Sequence, residues 1–129
     1  MRLLLDTHVV IWALSRPYRL SSKIEAMIAD EQNAIFISVV GIWEIAIKSS
    51  LNRISAPDLD AASLADLCAR AAFKILPVTT GHALAVTSLP PLHADPFDRL
   101  MIAQAKVEPM RLVTHDKTVA AYDESFITW

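Results

Sequence analysis

The sequence contains a single cysteine, Cys68, among its 129 residues. One cysteine excludes an internal disulfide and fits a protein of a reducing compartment. Long hydrophobic runs are also absent, since no apolar stretch approaches the roughly 18 residues that a membrane span needs. The first apolar run, residues 3–5, is interrupted by Asp6 before it can form the core of a signal peptide. We therefore expect a cytoplasmic protein that does not associate with a membrane.

A marked excess of charge of either sign is missing as well. The formal net charge is −2 and the isoelectric point is about 6.0. This excludes a global basic field, so any binding of nucleic acid has to come from local patches or from a metal ion.

What the chain has in quantity is apolar side chains. Hydrophobic residues make up 53% of the sequence and the mean hydropathy is +0.37. These values are high for a small soluble protein and indicate that some apolar surface meets a partner, so we expect an oligomer. The length predicts one domain over residues 1–129, with a core that needs no disulfide or structural metal. Internal repeats, low-complexity tracts and linkers are not found.

Short apolar runs alternate with amphipathic segments along the whole chain. The predicted strands cover residues 1–5, 34–38, 73–79, 111–114 and 126–129. The predicted helices cover residues 8–14, 22–33, 38–51, 61–72, 81–88 and 117–122, with a further helix beginning at Pro96, and residues 52–60 form a loop. Such alternation predicts an α/β fold with a central parallel sheet, helices on both faces and right-handed crossovers.

The stretch HADPFDRLMIAQA, residues 93–105, is the most informative segment. Asp95 followed by Pro96 is a helix start, because a carboxylate accepts backbone N–H groups at the N-cap and proline is tolerated at the first helical position. Asp98 then lies one turn further on the same face. Two acids on one face indicate either a cap with a favourable helix dipole or a cation site.

Three more acids follow short apolar runs. Asp6 comes after residues 3–5, Asp116 comes after residues 112–113, and Glu44 lies early in the helix that follows the run 35–37. Ligands of open α/β sheets bind beyond the carboxyl ends of the strands. Carboxylates gathered there raise one another's pKa unless a cation is present. Oxygen ligands select Mg²⁺ or Mn²⁺, and no Cys/His spacing indicates zinc. Two such ions can activate water for phosphodiester hydrolysis.

Each acid also has a simpler interpretation. Asp6 could cap the next helix, Glu44 could pair with Lys48 at i,i+4, and Asp116 could be a turn residue. We expect His8, His93 and His115, which lie near the site, to support loops, and His82 to lie at the surface. Trp12 and Trp43 are expected in the core or at an interface.

Four segments, LLLDTHVVIWAL, ISVVGIWEIAIK, HADPFDRLMIAQA and LVTHD, resemble in order and spacing the PIN domain, in particular the VapC-like toxins of bacterial toxin–antitoxin pairs. The likeness extends over nearly the whole chain. It implies a three-layer α/β/α sandwich with a central parallel sheet, Mg²⁺-dependent endoribonuclease activity, homodimerisation and inhibition by a cognate antitoxin.

The resemblance also assigns roles to residues. The family's catalytic and metal-binding acids fall on Asp6, Glu44, Asp98 and Asp116, and Asp95 is an accessory ligand or cap. Thr7 matches the small hydroxyl residue after the first acid and would orient Asp6 or a water. The implied reaction is attack of metal-activated water on an RNA phosphate, which leaves a 5′-phosphate and a 3′-hydroxyl.

Candidate phosphate contacts are Lys48, Arg53 and Arg99, although Arg99 could instead tie helices together. The main rival function is a non-catalytic binding module that has the same fold and acts through a protein partner. A response-regulator receiver fits less well, because it requires an acidic pair near the first strand and an acceptor aspartate after the third. Here Asp6 stands alone and the third strand ends at Thr79.

Overall fold

A computed structural model describes residues 1–51 and 60–129 of the chain. Arg53 and nearly all of the predicted loop 52–60 lie outside the described residues. The strands in the described part are β1 (Arg2–Leu5), β2 (Ala34–Ser38), β3 (Lys74–Leu76) and β4 (Arg111–Val113). The helices are α1 (Thr7–Ser15), α2 (Ser22–Ala29), α3 (Val39–Ser50), α4 (Ala61–Arg70), α5 (Thr80–Ala85), α6 (Pro96–Val107) and α7 (Lys117–Ala120), with 3₁₀ turns at Pro17–Arg19 and Val86–Ser88.

The four strands form one parallel sheet in the order β3-β2-β1-β4. From β1 the chain builds outward through β2 and β3 on one side, and β4 then pairs with the other edge of β1. The order therefore reverses between β1 and β4, which is where an open α/β sheet has its binding crevice.

Helices cover both faces of this sheet, because consecutive strand residues point to opposite sides. Leu3 and Leu5 point into one core and Leu4 into the other, and all three are fully buried. The first core contains side chains of α1 to α4, including Val9, Val10, Ile24, Ile45 and Leu64. The second contains side chains of α6, α7 and the C-terminal segment, including Ile102, Ala103, Val119 and Phe126. The predicted α/β/α sandwich with a parallel sheet is confirmed.

The predicted fifth strand, 126–129, is wrong. Ile127 makes a single parallel bridge to Val113 and no strand continues from it. The reason is side-chain packing, since Phe126 is buried in the second core while Trp129 contacts Trp12 and His115. The third strand is also shorter than predicted and ends before Pro77, which has no N–H group to donate to the ladder.

The prediction that His82 lies at the surface is also wrong, since its side chain is fully buried. Thr79 caps α5. The Thr79 hydroxyl accepts a hydrogen bond from the His82 N–H, and His82 Nδ1 accepts one from the Thr79 N–H. His82 Nε2 lies 2.6 Å from Glu108 Oε2. The spacing Thr-x-x-His is that of a capping box, so the sequence contained a signal for the contact between Thr79 and His82. Within the described residues, each helix is too short or too polar to cross a membrane.

Helices α1 and α3 approach closely at Gly41. A Cβ atom at this position would lie 2.7 Å from Thr7 Oγ1, which is closer than van der Waals contact allows. At Gly81 the nearest atom, Thr79 Oγ1, would lie at an ordinary 3.6 Å. The two glycines of the chain therefore differ in the space around them.

We expect Gly41→Ala to lower the free energy of unfolding by about 1–3 kcal/mol, because the added methyl group overpacks the contact with Thr7. Gly81→Ala is the matched control and should leave stability unchanged or raise it by up to about 1 kcal/mol. Adding Thr7→Ala to Gly41→Ala should recover part of the loss, because it removes the clashing hydroxyl. Urea unfolding measures all three, and a Gly41→Ala protein as stable as the parent would contradict the close approach.

Candidate metal centre

Five acidic side chains surround one cleft beyond the carboxyl ends of β1 and β4. Asp6 follows β1, Glu44 lies on α3, Asp95 and Asp98 begin α6, and Asp116 follows β4. They line a cleft of about 440 Å³. Lys48, His8, Trp12 and His115 line the same cleft. The structure thus brings together acids that are up to 110 positions apart, from Asp6 to Asp116.

Asp6 is only 7% exposed. Although it occupies the N-cap position of α1, its side chain accepts no hydrogen bond from that helix. Instead Asp6 Oδ2 accepts a 2.7 Å hydrogen bond from Thr114 Oγ1. The capping alternative therefore does not describe Asp6, whose carboxylate is held at the cleft.

Thr114 is the supporting residue that the sequence interpretation did not single out. It is fully buried, and its Oγ1 donates to Asp6 and accepts a 3.0 Å hydrogen bond from the Asp116 N–H. One hydroxyl therefore connects the ends of β1 and β4. Its position two residues before Asp116 was the only available signal, because Ser and Thr hydroxyls commonly bind a backbone N–H two residues on.

Glu44 is 5% exposed and lies with its Oε2 2.9 Å from Lys48 Nζ, so the i,i+4 pair does form. The other carboxylate oxygen of Glu44, Oε1, takes no part in this ion pair. The helix α3 that carries Glu44 begins with Ser38, whose hydroxyl accepts a hydrogen bond from the Val40 N–H and donates to Gln104 Oε1 on α6. A buried polar contact therefore ties the helix of Glu44 to the helix of Asp98.

Asp95 and Asp116 each cap a helix while lining the cleft. Asp95 Oδ1 accepts hydrogen bonds from the N–H groups of Phe97 and Asp98, at 2.8 and 3.1 Å. Asp116 Oδ1 accepts one from the Thr118 N–H at 2.8 Å. In both residues the capping bonds use Oδ1 alone, so capping and binding a ligand through Oδ2 are compatible.

His93 extends into the acidic cluster. Its Nε2 lies 2.8 Å from Asp98 Oδ2 and 3.6 Å from Asp116 Oδ2, without the alignment of a hydrogen bond to either. Ligand atoms of these three residues lie within 4.8 Å of one another, which is close enough to share a metal ion. The sequence placed His93 only in a supporting loop, and the structure brings its ring to the acids.

The remaining predicted site residues lie differently. The hydroxyl of Thr7 donates to Met101 Sδ at 3.9 Å rather than to Asp6. The guanidinium of Arg99 donates to the carbonyl oxygen of Pro90 at 3.0 Å and to Tyr122 Oη at 3.2 Å, with further carbonyls within 3.5 Å. Arg99 therefore ties α6 to the segment that precedes it.

The pKa values of Asp6 and Asp98 are raised in this cleft. Burial is the largest cause that raises the pKa of Asp98, the charges of Asp6 and Asp95 add to it and His93 opposes it, so that the pKa of Asp98 is raised to about 7. Burial also raises the pKa of Asp6, against the hydrogen bond from Thr114. Carboxylates that resist ionising together are stabilised by a cation between them, and an oxygen-rich set suits a hard divalent ion. The donor set present here therefore fits Mg²⁺ or Mn²⁺.

Without a cation, stability should fall as the pH rises from about 4 to about 7, because native Asp98 holds a proton that the unfolded chain releases. Asp98→Asn should flatten this slope and raise the free energy of unfolding at pH 8 by on the order of 1–3 kcal/mol. Urea unfolding in EDTA at pH 5 and pH 8 measures the effect, with Asp66→Asn, at an exposed position of α4, as the control. Equal slopes for Asp98→Asn and the parent would contradict the raised pKa.

The fold is similar to that of several solved structures. VapBC2 from Rickettsia felis, bound to a DNA fragment from their promoter, matches with a TM-score of 0.70 at 17% identity, over 100% of this chain and 98% of that chain. DNA-bound VapBC from Salmonella typhimurium matches with a TM-score of 0.66 at 14% identity, over 100% and 97%. VapBC-1 from nontypeable Haemophilus influenzae gives the same TM-score and identity, over the same shares. At these identities the likeness concerns the fold.

Among curated proteins no match was found. The sequence does match the family model of the PIN domain, over residues 3–125. This range begins in β1 and extends beyond α7, and it contains all five acids of the cleft. Because the match covers nearly the whole chain and the structure has the corresponding fold, the chain belongs to the PIN domain family.

Proposed function

We propose that this PIN domain is a Mg²⁺-dependent endoribonuclease that acts as the toxin of a toxin–antitoxin pair. The observation that carries the proposal is the meeting of Asp6, Glu44 and Asp98 in one cleft, where burial and mutual repulsion raise the pKa of Asp98. A cluster of carboxylates that lowers stability in the absence of a cation is the arrangement expected of a metal-dependent hydrolase.

Asp6, Glu44 and Asp98 would hold Mg²⁺ or Mn²⁺, with Asp116 and Asp95 as further ligands through the Oδ2 atoms that take no part in capping. When bound, the ion would activate a water for attack on the phosphodiester and neutralise charge on the leaving oxygen. Thr114 keeps the Asp6 carboxylate in place from behind, and Ser38 and Gln104 keep α3 and α6 together.

Among the residues that the structure describes, Lys48 is the lysine or arginine that lines the cleft, and it is our first candidate for a contact with the substrate. Its side chain is 41% exposed at the cleft and is held by Glu44, so it can meet an RNA phosphate there. Arg53 is a second candidate contact. The guanidinium of Arg99 is occupied by carbonyl groups, so we assign it the role of holding the loop before α6.

The proposed partners are RNA as substrate, a cognate antitoxin as inhibitor and a second copy of the chain in a homodimer, all in the cytoplasm. Support for an antitoxin comes from the similar VapBC structures. Support for protein partners comes from exposed apolar side chains, among them Trp43 at 57% and Leu84 at 65% exposed.

Asp6→Asn and Asp98→Asn should each lower RNA cleavage by about two orders of magnitude or more, because each removes a charged ligand. Chelation by EDTA should abolish cleavage, and Mg²⁺ or Mn²⁺ should restore it. The assay is the purified protein on total RNA, with Asp66→Asn as a control that should cleave like the parent. Cleavage that survives Asp6→Asn or EDTA would refute the metal-dependent mechanism, and absence of cleavage with growth inhibition intact would favour a non-catalytic binding module.

Expression of the parent chain should arrest bacterial growth, and co-expression of a small DNA-binding protein encoded next to it should relieve the arrest. Asp6→Asn should be harmless and still co-purify with that protein, because the substitution lies inside the cleft and keeps the size of the side chain. Growth curves and affinity purification measure both effects. Arrest by Asp6→Asn as strong as that by the parent would contradict toxicity through RNA cleavage.

A further inference from the structure

Tyr122 lies behind the cleft, and its hydroxyl contacts the loop that enters it. The ring packs in the second core and the residue is 8% exposed. Tyr122 Oη accepts a 2.8 Å hydrogen bond from the His93 N–H and a 3.2 Å hydrogen bond from Arg99 Nη1. A phenol oxygen can accept hydrogen bonds as well as donate one, so a single atom receives both donors. This oxygen therefore joins the C-terminal part of the chain to the loop before α6.

Both polar groups of the His93 backbone are held by these two side chains. The His93 N–H donates to Tyr122, and the His93 carbonyl oxygen accepts a 3.4 Å hydrogen bond from Arg99 Nη1. The same guanidinium donates to the carbonyl oxygen of Pro90 at 3.0 Å. Because arginine presents its N–H groups in a rigid planar fork, these contacts together define one position for the loop.

The side chain of His93 transmits this position to the acids. Its Nε2 is buried and lies 2.8 Å from Asp98 Oδ2 and 3.6 Å from Asp116 Oδ2. On the other side of the ring, Nδ1 accepts a 3.5 Å hydrogen bond from the Asp95 N–H. The imidazole thus lies between an acid of α6 and the acid that follows β4. Where the backbone of His93 is held decides how far apart these two carboxylates lie.

Tyr122 and Asp116 lie at opposite ends of α7. Asp116 caps the start of this helix, and Tyr122 is the second residue after its end. His93 contacts both ends, with its ring beside Asp116 and its backbone N–H bonded to Tyr122. Contact at two separated points prevents the loop from pivoting about either one, which contact with the acids alone would allow.

We propose that Tyr122 is a positioning residue of the metal centre, whose hydroxyl sets the distance between Asp98 on α6 and Asp116 before α7. The inference rests on the metal site of the proposed function, because it requires these acids to bind the ion. Tyr122 acts on them through His93 and Arg99. Residues that orient the ligands of a metal ion typically change its affinity by about 10- to 100-fold when they are replaced.

Tyr122→Phe tests the proposal, because it removes one oxygen atom and keeps the ring in the core. Binding of Mn²⁺, followed by the EPR signal of the free ion, should weaken by at least about tenfold. Arg99→Lys is a second variant that leaves the core unchanged. It should weaken Mn²⁺ binding as well, because an ammonium group has no planar fork to contact Tyr122 and the carbonyl oxygens together. Tyr18→Phe is the matched control, since Tyr18 is 80% exposed, and it should bind Mn²⁺ like the parent.

Hydrogen exchange in EDTA tests the contact itself in the absence of metal. The amide of His93 should exchange at least about tenfold faster in Tyr122→Phe, because its acceptor is gone. The amide of Asp6, which donates to the carbonyl oxygen of Val113, serves as the internal reference for any general loss of stability. Unchanged exchange of the His93 amide relative to this reference would overturn the proposal. So would a variant that is less stable to urea but binds Mn²⁺ like the parent, because Tyr122 would then only pack.

RNA cleavage separates this proposal from the function on which it rests. In a protein that cleaves RNA, Tyr122→Phe should lower kcat at a given subsaturating Mn²⁺ concentration and keep KM for RNA, because Tyr122 lies behind the acids. If RNA is cleaved and Tyr122→Phe binds Mn²⁺ like the parent, only the positioning proposal fails. If Tyr122→Phe weakens Mn²⁺ binding but the parent cleaves no RNA, only the ribonuclease function fails. If the parent binds no Mn²⁺, both are wrong.

Discussion

Repulsion among buried carboxylates is the constraint on which the arrangement of this protein depends. Asp6 and Glu44 are nearly inaccessible, and with Asp98 they share a cleft at the point where the strand order reverses. Such a cluster opposes folding unless protons or a cation neutralise it. Burial of apolar side chains in the sheet behind the cluster offsets this cost, since Leu3, Leu4 and Leu5 are fully buried on its two faces. A well-packed scaffold thereby holds an unfavourable set of charges in place.

The supporting contacts act on backbone and side chain together. Thr114 holds the carboxylate of Asp6 and the backbone of Asp116, and Ser38 caps α3 while it donates to Gln104 on α6. Asp95 caps the start of α6, which carries Asp98, and Asp116 caps the start of α7. Because these residues position the helices as well as the acids, the geometry of the cleft is coupled to the start of each helix.

The two sides of the cleft differ in chemistry. One side presents carboxylates that repel phosphate, and the other presents Trp12, His8 and His115 with Arg19 beside them. With a net charge of −2, long-range attraction of nucleic acid is weak.

The sequence predicts strands β1, β2 and β4, the helix start at Asp95-Pro96 and the parallel architecture. These features can be predicted because they depend on local patterns of apolar residues and caps. The candidate acids could be selected for the same reason. Asp6 and Asp116 follow short apolar runs, Glu44 lies in the helix after another such run, and Asp95 and Asp98 belong to a helix start. Local patterns could not identify Thr114 as the partner of Asp6, the burial of His82 or the loss of the last strand, because each depends on residues distant in the chain. The polar side chain of His82 can be buried because Thr79 and Glu108 supply its polar contacts. Phe126 and Trp129 do not extend the sheet, since Phe126 packs in the second core and Trp129 packs against Trp12. Periodicity thus decided which elements form, whereas packing between distant elements decided which side chains meet, because contacts across the fold have no signature in neighbouring residues.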